Sequence, residues 1–256
     1  MSATTWSYDL IAQVYATDMG QSMPFDDVGF YCGLCRAADG RALELGCGTG
    51  RILLNLVASG IDATGVDRSL PMLMQMRRDA ADRGLSPPRV AQMDIGALAL
   101  SGKFAVVLAP YSLITYITQT EVACRALQQL HALLDENGSV VLDAFIPQQV
   151  DAFSEFRQDY LRPHLNGTLE RAKRIATLTG GINRIERRYR LFDANGVLLN
   201  EFVTVESIRP YPPELIERVA TDAGFDIDRW SYDYGTREDA AGARFATAIL
   251  KRRHER

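Results

Sequence analysis

The sequence predicts an α/β fold, a mostly parallel sheet covered by helices on both faces. Three observations carry the expectation. Short runs rich in Val, Leu and Ala alternate with segments of helical period between residues 41 and 145. Those runs are continuously apolar, as strands buried on both faces must be. A glycine-rich turn joins the first run to the helix that follows it. With 256 residues, 47% of them apolar, the chain can bury one large core or a core with an insertion.

The elements are expected in this order. Residues 5–17 and 25–37 read as two helices, separated by a loop carrying Asp18, Gly20 and Pro24. Residues 41–46 are a short apolar strand, 50–58 a helix, 62–67 a strand and 69–82 a helix. Strands follow at 89–93 and 104–109, then a helix over 119–133 and a strand at 139–145. After Pro147 the rhythm changes. Residues 148–160 read as a continuing helix, and Pro163 and Gly167 then interrupt the chain. Residues 182–192 and 197–208 flank Asp193, Ala194, Asn195 and Gly196, a turn rich in residues that tolerate left-handed backbone, so they predict an antiparallel hairpin. A helix over 213–222 and strands at 225–232 and 244–251 complete seven strand candidates for the main sheet. The expected division is 1–147 for the amino-terminal helices and cofactor-binding core, 148–211 for a substrate-lid or oligomerisation insertion, and 212–256 for the rest of the core. Lys251, Arg252, Arg253, His254 and Arg256 form a basic tail, read as solvated.

Composition narrows the partners. A formal charge of −4 argues against a broad grip on a polyanionic backbone, so a small-molecule partner is expected before a nucleic acid. No signal-like leader and no apolar stretch long enough to span a bilayer is present, so no membrane partner is expected and a cytoplasmic location is. Cys32 and Cys35 form one CxxC within an expected helix, and Cys47 and Cys124 supply no second pair, so buried thiols are the reading and no metal site is expected.

The strongest chemical signal is Glu44-Leu45-Gly46-Cys47-Gly48-Thr49-Gly50. Glycines at a strand-to-helix turn let the backbone pass close to a ligand, although any tight turn can also use them. The spacing is not the GxGxxG of dinucleotide sites, and the lysine of a phosphate-binding loop is absent. Asp67 closes the second strand, where its carboxylate suits a vicinal diol. Asp94 follows the third strand and suits an adenine amino group, with Met93 and Ile95 as apolar flanks. Either acid alone also reads as a loop or capping residue. Together with the glycine turn they outline one crevice at the carboxyl edge of the sheet.

These residues resemble those of class I S-adenosylmethionine-dependent methyltransferases of the broad small-molecule type. ELGCGTG is similar to that family's first motif, which implies that Glu44, Gly46, Cys47, Gly48 and Gly50 surround the amino-acid part of S-adenosylmethionine. GVDRS puts Asp67 at the ribose position with Arg68 beside it, and QMDI puts Asp94 at the adenine position. The opening YDLIAQVY resembles the start of many members and implies that Tyr15 helps close over the methionine portion. LLDENGSVVLDAFIP and RPYPPELIERVATDAGF are also similar to family segments. The resemblance implies a Rossmann-like seven-stranded sheet, six strands parallel and a late one reversed, with S-adenosylhomocysteine as the product.

Acceptor chemistry is expected where the fourth strand ends, at Ala109-Pro110-Tyr111-Ser112. Tyr111 reads either as a core or lid aromatic or as an acceptor-orienting residue. Enzymes that methylate amino groups of nucleic-acid bases resemble one another here through a polar residue, two prolines and an aromatic. Ala109 and the single proline depart from that pattern. Among the three histidines, His131 fits a helix carboxyl end and His254 a tail, whereas His164 in the insertion is a candidate base as well as a packing residue. Arg209 reads either as an anchor of the insertion or as a binder of an acidic acceptor, for which Tyr211 is also a candidate. The expected function is methyl transfer to N or O of a small molecule in specialised metabolism. A nucleic-acid methyltransferase and a noncatalytic nucleotide-binding protein are the alternatives, and the hairpin could equally be a homodimer surface.

Overall fold

The alternating region becomes the centre of a seven-stranded sheet, in a computed structural model that describes residues 7–20, 23–146 and 151–253. In chain order the elements are α1 (Ser7–Ile11), α2 (Tyr15–Gly20), α3 (Asp27–Ala38), β1 (Ala42–Leu45), α4 (Leu53–Ala58), β2 (Ala63–Asp67), α5 (Leu70–Asp82), β3 (Arg89–Gln92) and β4 (Phe104–Ala109). There follow α6 (Thr120–Leu133), β5 (Leu134–Phe145), β6 (Phe153–His164), β7 (Gly167–Leu178), β8 (Ile182–Phe192), β9 (Leu198–Ile208), α7 (Pro213–Asp222), β10 (Phe225–Tyr232) and β11 (Phe245–Arg252). The chain clusters into two units, one comprising 25–147 and 210–256, the other 1–24 and 148–209.

In the larger unit the strand order is β10-β11-β5-β4-β1-β2-β3. β1 pairs in parallel with β2 and β4, β2 with β3, and β4 with β5, whereas β11 runs antiparallel to both β5 and β10. Six strands therefore share a direction and one is reversed. Leu43 and Leu45 of β1 join the core under α6 and α7, with Leu127, Leu130, Ile216 and Val219. Alternation turns Glu44 to the opposite face, where α4 packs on β2. Helix starts follow local chemistry. Ser69 caps α5 by accepting the Met72 N–H at 3.3 Å, with Pro71 in the first turn, and Asp26 caps α3 by accepting the Gly29 N–H at 2.8 Å. From β1 the chain moves one way to β2 and β3 and later the other way to β4 and β5. This reversal opens a crevice at the carboxyl ends of the strands.

The smaller unit holds α1, α2 and the antiparallel sheet β6-β7-β8-β9. Here the structure corrects two expectations and extends a third. The helix foreseen over 148–160 is a strand from 153, paired with β7, with 147–150 outside the described residues. Ser154, Phe156 and Tyr160 suit a strand, and the bulges near 157–160 obscure its period-two pattern. The expected hairpin is present as β8 and β9, but as half of a four-stranded sheet. The expected first helix is two short ones, and Asp18 and Gly20 belong to α2 rather than to a loop. The basic tail also differs. In the larger unit Lys251 and Arg252 donate to the Asn137 and Asp135 carbonyls, and Arg253 to Asp226, while His254 and Arg256 lie outside the described residues.

Candidate active site

The glycine turn leaves β1 at Leu45 and is tied to β2 by the Cys47 N–H, which donates to the Val66 carbonyl at 3.0 Å. Gly50 stands at φ +87, and a Cβ there would lie 2.7 Å from Leu54 and Met76, so no other residue fits without a shift. Gly48, at φ +53, points its N–H to Asp67 Oδ2 at 2.8 Å, and Asp67 Oδ1 accepts the Ser69 N–H at 2.8 Å. Asp67 thus organises the turn as well as ending β2. The Cys47 thiol is buried against Gly65, and burial pushes it well above its ordinary value, so only its backbone can line the crevice.

Glu44 lies on the same edge, only 3% exposed. One of its carboxyl oxygens has no hydrogen-bond partner, a costly state for a buried polar atom. Burial pushes its carboxyl up to about 8, and Arg51 pulls it part of the way down. A buried acceptor left open beside a close-approach glycine turn fits a ligand carrying an ammonium group. The amino-acid end of S-adenosylmethionine has one. Arg51 itself is clamped by Asp27 through two bonds of 2.7 and 2.6 Å, fixing the chain after the turn to the start of α3.

Beyond β3, the Met93 N–H bonds the Asp67 carbonyl at 2.9 Å, which places residues 93–95 beside the end of β2. Asp94 is exposed and accepts the Gly96 N–H at 2.7 Å, while Met93 and Ile95 pack against the core. Arg68 is half-buried, and its carbonyl accepts from Gln92 at 3.0 Å. At the end of β4, after Ala109, Tyr111 stands in the left-handed region at φ +56. Its ring lies 5.8 Å from that of Phe145 and 6.3 Å from that of Phe245, with the Arg51 guanidinium 5.9 Å away. The structure therefore gathers Glu44, the glycine turn, Asp67, residues 93–95 and Tyr111 along one sheet edge of one unit.

Tyr15, His164 and Arg209 belong to the smaller unit. Tyr15 opens α2 and meets Tyr8 edge-on at 6.0 Å. His164 ends β6, and its Nδ1 lies 2.8 Å from Thr17 Oγ1. Burial lowers its pKa below the ordinary 6.5, so the ring is neutral at pH 7. Arg209 is half-buried, with its guanidinium near Gly180 in the β7–β8 turn. Tyr211, in the larger unit, is buried and donates to the Ile117 carbonyl at 2.7 Å. His131 bonds the Gly224 carbonyl at 2.9 Å, and its ring lies 4.3 Å from that of Phe225 in a tilted contact. Cys32 and Cys35 are buried, the latter thiol pushed up to about 12.

Sequence reasoning missed several groups that the structure makes prominent. Asp18 of α2 is 4% exposed and accepts from Tyr160, from Arg171 at 2.5 Å and from Tyr189 at 3.2 Å, binding α2 to its own sheet. Asp143, in the apolar run Ser139–Phe145, is fully buried and accepts from Tyr31 and Tyr234. A lone acid within an otherwise apolar strand was the available signal.

A family model described as a methyltransferase domain matches residues 42–138, which span β1 to the early part of β5. Residues 42–138 therefore carry a methyltransferase domain. A solved structure from Clostridium acetobutylicum ATCC 824, similar with a TM-score of 0.79 at 19% identity over 96% of this chain and 99% of its own, is described as an S-adenosylmethionine-dependent methyltransferase. The YqeM protein of Bacillus subtilis (strain 168) is 22% identical over 243 residues, covering 91% of this chain and 92% of its own. Among solved structures, the CcbJ methyltransferase of Streptomyces caelestis is similar with a TM-score of 0.81 at 22% identity, covering 97% of this chain and 99% of its own. CalS10 of Micromonospora echinaspora was solved with S-adenosylmethionine bound and is described as an amino pentose methyltransferase in calicheamicin biosynthesis. It is similar with a TM-score of 0.70 at 24% identity, over 93% of this chain and 96% of its own. Both likenesses show the fold, a Rossmann-like methyltransferase sheet, and extend over both units. Among the described residues no helix is long and apolar enough to cross a membrane.

Proposed function

We propose that this methyltransferase alkylates a nitrogen or oxygen of a small-molecule acceptor of specialised metabolism, with amino sugars as the leading class. The observation that carries the reading is the edge of β4. There Tyr111, Phe145 and Phe245 form an aromatic wall where a charged or amide-bearing motif would suit a nucleobase. The amino pentose acceptor class of CalS10, which is similar across nearly its whole length, supports the same reading. The arginines of β7 and β8 do not favour a nucleic-acid groove. Arg174, Arg187 and Arg190 are each paired with a carboxylate of their own sheet, and Arg171 with Asp159 of β6 and Asp18 of α2.

On the donor side Glu44 takes the ammonium group, the glycine turn accommodates the amino-acid portion, Asp67 accepts from the ribose hydroxyls, and Asp94 from the adenine amino group with Met93 and Ile95 as flanks. Arg68, Ala109 and Tyr15 are assigned to the same donor site. When bound, the donor supplies an electrophilic methyl group on a sulfonium that leaves as a neutral thioether. The chain's own task is to align the acceptor in line with that methyl group and to receive a proton where the acceptor carries one. Tyr111 is assigned to alignment, Arg209 to acceptor binding, and the neutral His164 to the proton.

The test is a donor with a tritiated methyl group, offered with a panel of amino sugars, other primary amines, phenols, and short DNA and RNA. Label in an amino sugar or another small amine or phenol supports the proposal. Label in nucleic acid alone overturns it.

A further inference from the structure

Two pairs of consecutive non-glycine residues occupy the left-handed region in the larger unit. Tyr111 and Ser112 both stand at φ +56, and Asp233 and Tyr234 at +45 and +58. Left-handed backbone costs a side-chain-bearing residue roughly 1–2 kcal/mol, and it persists only where the surroundings over-determine it.

One buried carboxylate meets both pairs. Asp143 Oδ1 accepts the Ser112 N–H, and the Tyr111 N–H also bonds this carboxylate. Oδ2 accepts the Tyr31 hydroxyl of α3 at 2.5 Å and the Tyr234 hydroxyl at 2.7 Å. All four partners are donors, a pattern that a carboxylate satisfies in full. The turn is tied back a second time, because Ser112 Oγ accepts the Phe145 N–H at 2.7 Å. Tyr234 is held in its turn through Asp233, whose Oδ1 accepts the Arg244 and Phe245 N–H groups at 2.8 and 2.9 Å. What this network fixes at the surface is the Tyr111 ring against Phe145 and Phe245.

We propose that Asp143 is a positioning residue of the methyl-transfer site, holding the Tyr111–Ser112 turn in its left-handed form and so setting the aromatic wall that meets the acceptor. The second half of this statement rests on the reading of Tyr111 as acceptor-facing. Asp143→Asn keeps the shape but turns an NH₂ donor toward groups that are themselves donors, so the turn loses its anchor. A displacement of about 1 Å at a positioning group costs roughly 10²-fold in turnover. Most of the donor contacts, those of Glu44, the glycine turn, Asp67 and residues 93–95, lie at the ends of β1 to β3, and of the rest only Ala109 adjoins the turn, so S-adenosylhomocysteine affinity should change by less than about threefold.

The experiment uses the full chain labelled with 3-fluorotyrosine, with the Tyr111 fluorine resonance assigned through Tyr111→Phe. Folded Asp143→Asn should move or broaden that resonance, keep S-adenosylhomocysteine binding by calorimetry, and lose about 10²-fold in kcat with tritiated donor and the acceptor that the panel returns. A Tyr111 resonance unmoved in the folded variant overturns the proposal. A resonance that moves while kcat holds leaves Asp143 as the anchor of the turn but removes Tyr111 from the acceptor site, which separates the failure of the two readings. If Asp143→Asn does not fold, the double variant Tyr31→Phe, Tyr234→Phe strips Oδ2 of its hydroxyl donors. A shifted Tyr111 resonance then supports the proposal, and an unmoved one overturns it.

Discussion

Glu44→Gln separates what this side chain costs the fold from what it does for the donor. The carboxyl is almost wholly buried, one oxygen lacks a partner, and burial pushes its pKa up to about 8. In the unfolded chain a Glu carboxyl titrates near its ordinary value of about 4.5. Between those values the folded chain keeps a proton that the unfolded chain has released. Stability is therefore full below about pH 4 and falls as pH rises, until the folded group also ionises near pH 8. The gap of about 3.5 pH units, at about 1.4 kcal/mol each, sets the loss on the order of 5 kcal/mol. Gln has the same shape and cannot ionise. In thermal scans without ligand the variant should match the parent near pH 4 and exceed it by roughly 10 °C or more at pH 8, at about 2–4 °C per kcal/mol for a chain of this size. With S-adenosylhomocysteine the margin at pH 8 should narrow, because the variant lacks the anion that meets the ammonium group and should bind more weakly by roughly 1.5–3 kcal/mol. Near pH 7 the parent should also release a proton on binding, so its calorimetric enthalpy should vary with the ionisation enthalpy of the buffer while that of the variant does not. Parallel pH curves for the two proteins would refute the burial reasoning. Equal affinities would refute the ammonium assignment.

Asp67→Ala should cost roughly 1–3 kcal/mol of stability, because the Gly48 and Ser69 N–H groups lose their acceptor. It should also weaken S-adenosylhomocysteine binding by roughly 1.5–3 kcal/mol, and paired thermal scans and calorimetry read the two effects apart. Unchanged stability with lost affinity would mean that Asp67 does not organise the turn. His164→Ala should lower acceptor turnover by roughly 10²-fold or more if the ring takes the proton, with donor affinity retained. Since burial lowers its pKa, the acid limb of the parent's kcat/KM profile should fall below pH 6.5, and a limb unchanged in the variant would assign it elsewhere. Arg209→Ala should raise the acceptor KM without changing donor affinity, and kinetics equal to the parent's would leave Arg209 as a support for the β7–β8 turn.

The central sheet was legible because its strands are buried on both faces and so read as plain apolar runs. The glycine turn was legible because close backbone approach leaves no alternative residue at Gly50. The double duty of Asp67 was not, since a sequence shows that an acid ends a strand but not which N–H groups its oxygens meet. The strand at 153–164 was hidden by its composition. Phe156, Tyr160 and Leu161 fall at a period that bulges disrupt, and the Tyr160 and Phe156 rings lie under the guanidinium groups of Arg162 and Arg174. Asp143 and Asp18 were missed for a related reason. Asp143 is made tolerable in the interior partly by hydroxyl donors more than 90 residues away in sequence, and Asp18 by donors more than 140 away. Spacing along the chain carries no trace of such partners. Tyr111 was found by its place after β4, but its left-handed backbone depends on Asp143 and could not be read from Ala109-Pro110-Tyr111-Ser112 alone.

The most direct measurement is a thermal titration of the purified chain with S-adenosylhomocysteine and, in parallel, with NAD. A ligand at about 100 times its Kd stabilises the folded state by roughly 2.7 kcal/mol. S-adenosylhomocysteine is therefore expected to raise the Tm saturably by several degrees, while NAD, excluded by a glycine spacing that is not GxGxxG, gives no comparable shift. A saturable shift with NAD and none with S-adenosylhomocysteine would contradict the assignment of the crevice formed by Glu44, the glycine turn and Asp67.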